Sequence, residues 1–304
     1  MAGYPVNFPD ATVEPQAPRR HLTIVATLVI LVINALVFLL LELAGGSTSE
    51  EVLLNFGASY GPYTRRGEYW RLVMPMFLHI GVIHLLVNSY ALFVLGRILE
   101  LVYGYGRFAV IYVGCGIGGA ALSMMLSPNI SAGASGAIFG IAGAMLATGL
   151  LHQEAVPPRW VRAFGFGIAP FIGVNLFLGF SLPNIDNWGH LGGLVSGALL
   201  SGLIPPPRRE FIPWATEERP SQAMVVIPLA VVALAMAATV ERYRTSRVVV
   251  KLLEESRRLH AAGQRDDARA RIQEAMKLLP KDERPHEALG AFNLDENKVD
   301  DAIR

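Results

Sequence analysis

Apolar residues in this chain come in long blocks, not in the alternating or every-third-residue patterns of soluble strands and helices. Seven stretches approach the roughly 20 mostly apolar residues of a spanning helix: 22–41, 72–95, 108–126, 132–151, 163–182, 188–204 and 223–240. The first comes after Arg19 and Arg20, as a secretory signal would. Its apolar run exceeds the roughly 7–15 residues of such a signal, so it reads as a permanent helix. From about residue 248 the pattern becomes charged and helical, with Gly263, Pro280 and Pro285 as breakers. The pattern predicts an all-α, polytopic membrane helix bundle of about seven spans with a small soluble α-helical tail.

Composition agrees, with 52% hydrophobic and only 17% charged residues, against about 25% charged in an average soluble domain. A net charge of +1 names no partner, and no basic cluster interleaved with aromatics argues for nucleic acid. The single cysteine, Cys115, falls in the third stretch and can make no intrachain disulfide. With the amino terminus placed in the cytoplasm, the inner segments hold Arg19, Arg20, Arg97, Arg107, Arg159, Arg162, Arg208, Arg209 and Arg219. The short outer loops hold Arg65, Arg66 and Arg71. That asymmetry fits the positive-inside rule, although Arg242, Arg244 and Arg247 come after the seventh span on the outer side and run against it.

In the tail, Asp266-Asp267-Ala268 recurs as Asp300-Asp301-Ala302, 34 residues later. The period, with alanine-rich paired helices and Pro280 after the second, resembles a tetratricopeptide repeat; a generic helical hairpin is the alternative. About one and a half repeats are present where stable arrays need about three, so the tail reads as truncated or as leaning on something else. The expected division is a cytoplasmic segment over 1–21, a six-helix core over 22–204, a linker and seventh span over 205–247, and the tail over 248–304, with a protein partner expected for the tail.

Polar side chains inside spans are functional suspects: His79, His84 and Asn88 in the second, Ser135 in the fourth, Asn175 in the fifth and His190 in the sixth. Spans two, four and six run in the same direction, and Ser135 and His190 each lie within about a turn of the outer start of their helix. Gly136 with Gly140, and Gly193 with Gly197, are small residues at the spacing that lets helix backbones approach. Taken alone, either pattern is packing. Together they allow a histidine to reach a serine hydroxyl, which nucleophilic catalysis requires. The Ser135 amide at a helix start is a candidate oxyanion donor. His84 and Asn88, four apart, share a helix face and read either as an interhelical hydrogen-bond pair or as further oxyanion ligands. His79 and Asn175 read as structural. No carboxylate is placed to orient His190; Asp186 reads as a solvated loop residue, so the pattern is a Ser135/His190 dyad. No motif calls for a metal or any other cofactor.

These residues resemble the rhomboid family of intramembrane serine proteases. Gly133-Ala134-Ser135-Gly136 resembles the family's GxSG motif, and His190 in "NWGHLGGLVSG" its catalytic histidine, with the packing glycine Gly193 one turn on. The segment "GEYWRLVMPMFLHIGVIHLLVNSYALFVLG", with Trp70-Arg71 and His84-x-x-x-Asn88, resembles the first outer loop and second helix. Glu100 and "YGYGRF" resemble the family's stretch just after that helix. Phe139 stands where many members carry a tyrosine that stacks on the histidine, and a phenyl ring still stacks. The seventh span and tetratricopeptide-like tail resemble a bacterial six-plus-one arrangement. The resemblance implies an endopeptidase of the bacterial plasma membrane, working in the lipid bilayer on transmembrane protein substrates near the outer face. A non-catalytic rhomboid-like client-binding protein is the alternative. A transporter is disfavoured because no repeated halves with broken helices are visible.

Overall fold

The computed structural model describes residues 24–156, 158–182, 185–207 and 221–295. The amino-terminal segment 1–21 with Arg19 and Arg20, the arginines at 208, 209 and 219, and the second repeat motif at 300–302 lie outside the described residues. The described chain is an all-α bundle, and seven of its helical segments are apolar.

Helix α1 (Val25–Leu43) has no side-chain cap of its own. The carboxylate of Glu100, 2% exposed, supplies one from another span, accepting from the Ala26 and Thr27 amides at 2.8 Å each and from Thr27 Oγ1 at 2.6 Å. An anion at a helix amino terminus satisfies donors that the helix itself cannot. The long outer loop beyond α1 carries α2 (Glu50–Asn55), α3 (Gly61–Arg65) and two 3-10 turns, Tyr69–Leu72 and Met74–Phe77. Arg71, fully buried, pins this loop: Nη1 donates to the carbonyls of Leu54 (2.7 Å) and Ala58 (3.0 Å), Nε to Glu68 (2.7 Å), and the guanidinium lies 4.9 Å over the Tyr63 ring.

The second span differs from the expected 72–95. Residues 72–80 are turns and extended chain, and the helix runs from Gly81 to Tyr103 as α4 (Gly81–Ala91), a π-turn (Leu92–Gly96) and α5 (Arg97–Tyr103). His79 therefore enters the span from the loop instead of lying within it. Met74, Pro75, Met76 and Phe77 are apolar because protein buries them, not lipid. After Gly104 come α6 (Tyr105–Leu126), α7 (Ser135–Leu151), α8 (Ala169–Ser181), α9 (Asn187–Leu203) and α10 (Gln222–Ala261).

The bundle sorts by burial. Helix α7 is apolar all round and buried along most of its length, as the centre of a bundle must be. Helices α1, α4, α8 and α10 instead expose side chains such as Leu36, Ile83, Phe177 and Leu234, the surface that lipid covers. At 17 residues, α7 is about 25 Å long, short of the roughly 30 Å hydrocarbon core. Ser135 is the first residue of this short helix.

The boundary expected at residue 248 falls inside a single helix. Helix α10 is 40 residues, about 60 Å, enough to cross the bilayer and project as far again. Its projecting half packs with α11 (Arg265–Leu278) and α12 (Glu283–Asp295) around Val249, Leu253, Ala268, Ile272 and Phe292.

Candidate active site

Residues 127–134 lead into α7 as irregular chain tied on both sides. Ser131 exchanges two backbone hydrogen bonds with Ser59 of the outer loop (2.8 and 2.9 Å), and the Gly133 amide donates to the Pro75 carbonyl at 2.9 Å. Gly133 has φ +143°, which favours glycine. A Cβ there would also stand 2.9 Å from His84 Nε2 and 3.5 Å from Ser135 Oγ. The missing side chain is what lets the imidazole and the hydroxyl face one another.

Helix α7 has no side-chain cap; Ala134, the residue at its capping position, offers none. The first amides, those of Ser135, Gly136 and Ala137, have no acceptor within the helix, and these residues line a cavity of about 350 Å³, counting its open mouth. His190 lines the same cavity. It is the fourth residue of α9, 8% exposed, and its ring stacks on Phe139 of α7 at 4.2 Å between centroids and 10° between planes. The predicted phenyl-imidazole stack is present.

Glycines set the separation of α7 and α9. A Cβ at Gly193 would strike the Gly136 carbonyl oxygen, and one at Gly197 the Gly140 carbonyl oxygen. Helix α6 joins the contact: a Cβ at Gly119 would lie 2.7 Å from the Gly189 oxygen, while Cys115 fills the space above Gly140. Backbones this close put Ser135 and His190 on the two walls of one narrow cavity.

His84 Nδ1 accepts from the Ile80 amide at 3.3 Å. In the neutral ring, that leaves Nε2 carrying the proton, on the side facing Gly133 and Ser135. Asn88, 6% exposed, donates from Nδ2 to the His84 carbonyl at 2.9 Å, within its own helix. Neither His84 nor Asn88 is among the cavity-lining residues; His84 meets its edge at Gly133. His79 is fully buried and packs edge-on to His84 at 5.4 Å. Asn175 donates to the Phe171 carbonyl of its own helix at 2.8 Å.

Asp186 differs from the solvated loop residue expected. It is half-buried and caps α9, its Oδ1 accepting from the Gly189 amide at 3.0 Å. Its Oδ2 is buried without a hydrogen-bond partner among the described residues and, with His190, the residue lines the cavity. Sequence reading missed Asp186, Ser59 and Ser131 as cavity residues. Only the capping spacing of Asp186, three before Gly189, was a visible signal.

Residues 66–206 match the family model of the Rhomboid domain. The chain is 42% identical over 205 residues to the rhomboid protease GluP of Bacillus subtilis, covering 67% of this chain and 39% of that protein. It is 37% identical over 139 residues to YdcA of the same organism, covering 45% of this chain and 68% of that one. The chain belongs to the rhomboid family. A plant relative, RHOMBOID-like protein 6, mitochondrial, of Arabidopsis thaliana, is 38% identical over 158 residues, 51% of this chain and 50% of that protein. The chain thus spans about two fifths of the length of GluP and half of the length of the plant relative. The rhomboid match runs from the end of α3 through α9 and contains Ser135, His190, His84 and Asn88; α1 and the projecting tail lie outside it.

Proposed function

We propose that this rhomboid is an intramembrane serine endopeptidase that hydrolyses peptide bonds in or near transmembrane segments of other proteins. The observation that carries the reading is the shared cavity: Ser135 at the uncapped start of α7 and His190 held against Phe139 on the facing helix. In this reading Ser135 Oγ attacks the substrate carbonyl carbon while neutral His190 takes the hydroxyl proton. The oxyanion receives hydrogen bonds from the Ser135 amide and from the Nε2–H of His84, with Asn88 closing in when substrate binds. Collapse breaks the C–N bond as His190 returns its proton to the leaving amine. Water then releases the acyl group from Ser135 by the same proton transfers.

A helix hides its peptide bonds, so easily unwound substrate helices are favoured. Substrate enters from the lipid beside α8, whose Val174, Phe177 and Phe180 are exposed. The arginine asymmetry supports a cytoplasmic amino terminus in a bacterial plasma membrane, with cavity mouth and tail on the outer side. Arg242, Arg244 and Arg247 oppose that count, but they follow the seventh span, where charge weighs less once the earlier spans are set. The domain division proposed is a protease core through α9 and a tetratricopeptide-like hairpin that binds a protein partner, carried on the extension of α10. Purified protein incubated with a model type I membrane substrate, beside Ser135→Ala, tests the reading: wild type cleaves and the variant does not. Equal cleavage by both would overturn it.

A further inference from the structure

The tail does not hang free. The turn between α11 and α12 lies against the outer loop, and its contacts are charged. Arg284 reaches Glu51 at 3.0 Å, Ser246 at 2.9 Å and Asp282 at 2.8 Å. Arg66 meets the Lys281 carbonyl at 3.2 Å and Glu283 at 3.5 Å, and Lys281 returns a hydrogen bond to the Arg66 carbonyl. Phe56 of the outer loop packs on Tyr243 of α10 at 5.2 Å. The middle of the contact is buried: Arg242 lies between Asp282 (3.3 Å) and Glu68 (3.9 Å), with side-chain exposures of 8%, 4% and 18%.

Glu68 is also the partner of Arg71, whose Nη1 holds the Ala58 carbonyl. The next residue, Ser59, makes the two-bond bridge to Ser131, and both line the cavity with Ser135. The path from tail to cavity is contiguous through Asp282, Arg242, Glu68, Arg71, Ala58, Ser59 and Ser131, each step a direct contact except Ala58 to Ser59, which is a peptide bond. Asp282 keeps Arg284 and Glu68 keeps Arg71 when Arg242 is lost, so what that loss removes is the buried charge that joins the two pairs across the contact.

We propose that the tail hairpin is a positioning clamp: Arg242, Asp282 and Arg284 hold the outer loop through Glu68 and Glu51, and that loop holds the segment carrying Ser135. The effect on turnover rests on the protease reading above; the clamp itself does not. Arg242 and Asp282 act through other residues and touch no substrate.

The test is amide hydrogen exchange on the full-length protein in detergent, with Ser135 labelling by a fluorophosphonate measured in parallel. Arg242→Ala and Asp282→Asn should speed exchange at Ser59 and Ser131 about tenfold, a local opening, while amides in the middle of α7 keep their wild-type rates. Labelling should slow by a similar factor, and Arg242→Lys should restore both. If Arg242→Ala does not fold, Arg284→Gln, which removes a more exposed member, gives the same readout. Wild-type exchange at Ser59 and Ser131 in these variants would overturn the clamp; faster exchange with unchanged labelling would overturn its positioning of Ser135. A wild-type protein that never labels would sink the protease reading instead, while exchange still decides the clamp.

Discussion

Replacing Gly193 by alanine isolates what the α7–α9 contact contributes. The new methyl would collide with the Gly136 carbonyl oxygen, a backbone atom that no rotamer change can move aside. One helix must shift against the other, a small-to-large change in a packed interior that costs about 1–3 kcal/mol. Alanine is also the better helix former by about 0.8–1 kcal/mol, which masks part of that cost. Gly202, in the same helix with nothing within 4 Å of a built Cβ, receives the helix gain without the clash. Comparing the two variants cancels the intrinsic term, so Gly193→Ala should be less stable than Gly202→Ala by the full ~1–3 kcal/mol. Denaturant titration in mixed micelles measures it. Because Ser135 and His190 are carried on the two displaced helices, turnover should fall too, by up to about 100-fold for a shift near 1 Å. Equal stability and turnover in the two variants would refute the close glycine contact as what sets the site's width.

Glu100→Gln keeps the shape of the α1 cap but removes its charge, and since the NH2 that replaces one oxygen cannot accept, at least one of the three hydrogen bonds is lost and the rest become neutral. Thermal unfolding should show a loss of about 1–2 kcal/mol; an unchanged midpoint would mean that the cap is incidental. His84→Ala should lower turnover about 10²–10³-fold by removing the proposed oxyanion donor, with stability little changed, and kinetics on folded variant separate the two. Asp282 gives a pH dependence. Burial pushes its carboxyl upward, but hydrogen bonds and charge from Arg284, with Arg242 behind, outweigh that and hold it below the usual range. A lowered carboxylate stabilises docking at neutral pH and loses that contribution as acid protonates it, below about pH 4. Limited proteolysis of the tail should accelerate in that range in wild type, and Asp282→Asn should remove the acid-dependent step.

The legible features were local ones. Apolar blocks marked the spans, since lipid-facing and bundle-facing positions are apolar alike. Ser135 and His190 were visible because small residues and a helix start sit beside each of them in sequence. The second span was misplaced by nine residues because 72–80 is apolar for another reason, burial under protein, and hydropathy does not distinguish the two. Pro75, at the start of a 3-10 turn, was the local sign. Asp186 looked solvated because nothing near it in sequence says that α6 and α7 close over the start of α9. The docking of the tail was invisible, since Arg242 meets Glu68 and Arg284 meets Glu51 across 174 and 233 residues. Single charges at such separations carry no pattern.

The central claim is that Ser135 is a nucleophile activated by His190. The most direct measurement is covalent labelling by a serine-directed phosphonate, with peptide mapping of the product, in wild type, Ser135→Ala and His190→Ala. An unactivated serine hydroxyl is inert, whereas one paired with neutral imidazole loses its proton as it attacks. Wild type should label at Ser135 alone, and neither variant should label. A His190→Ala protein that labels at the wild-type rate would contradict the dyad and return Ser135 to being a small residue where helices touch.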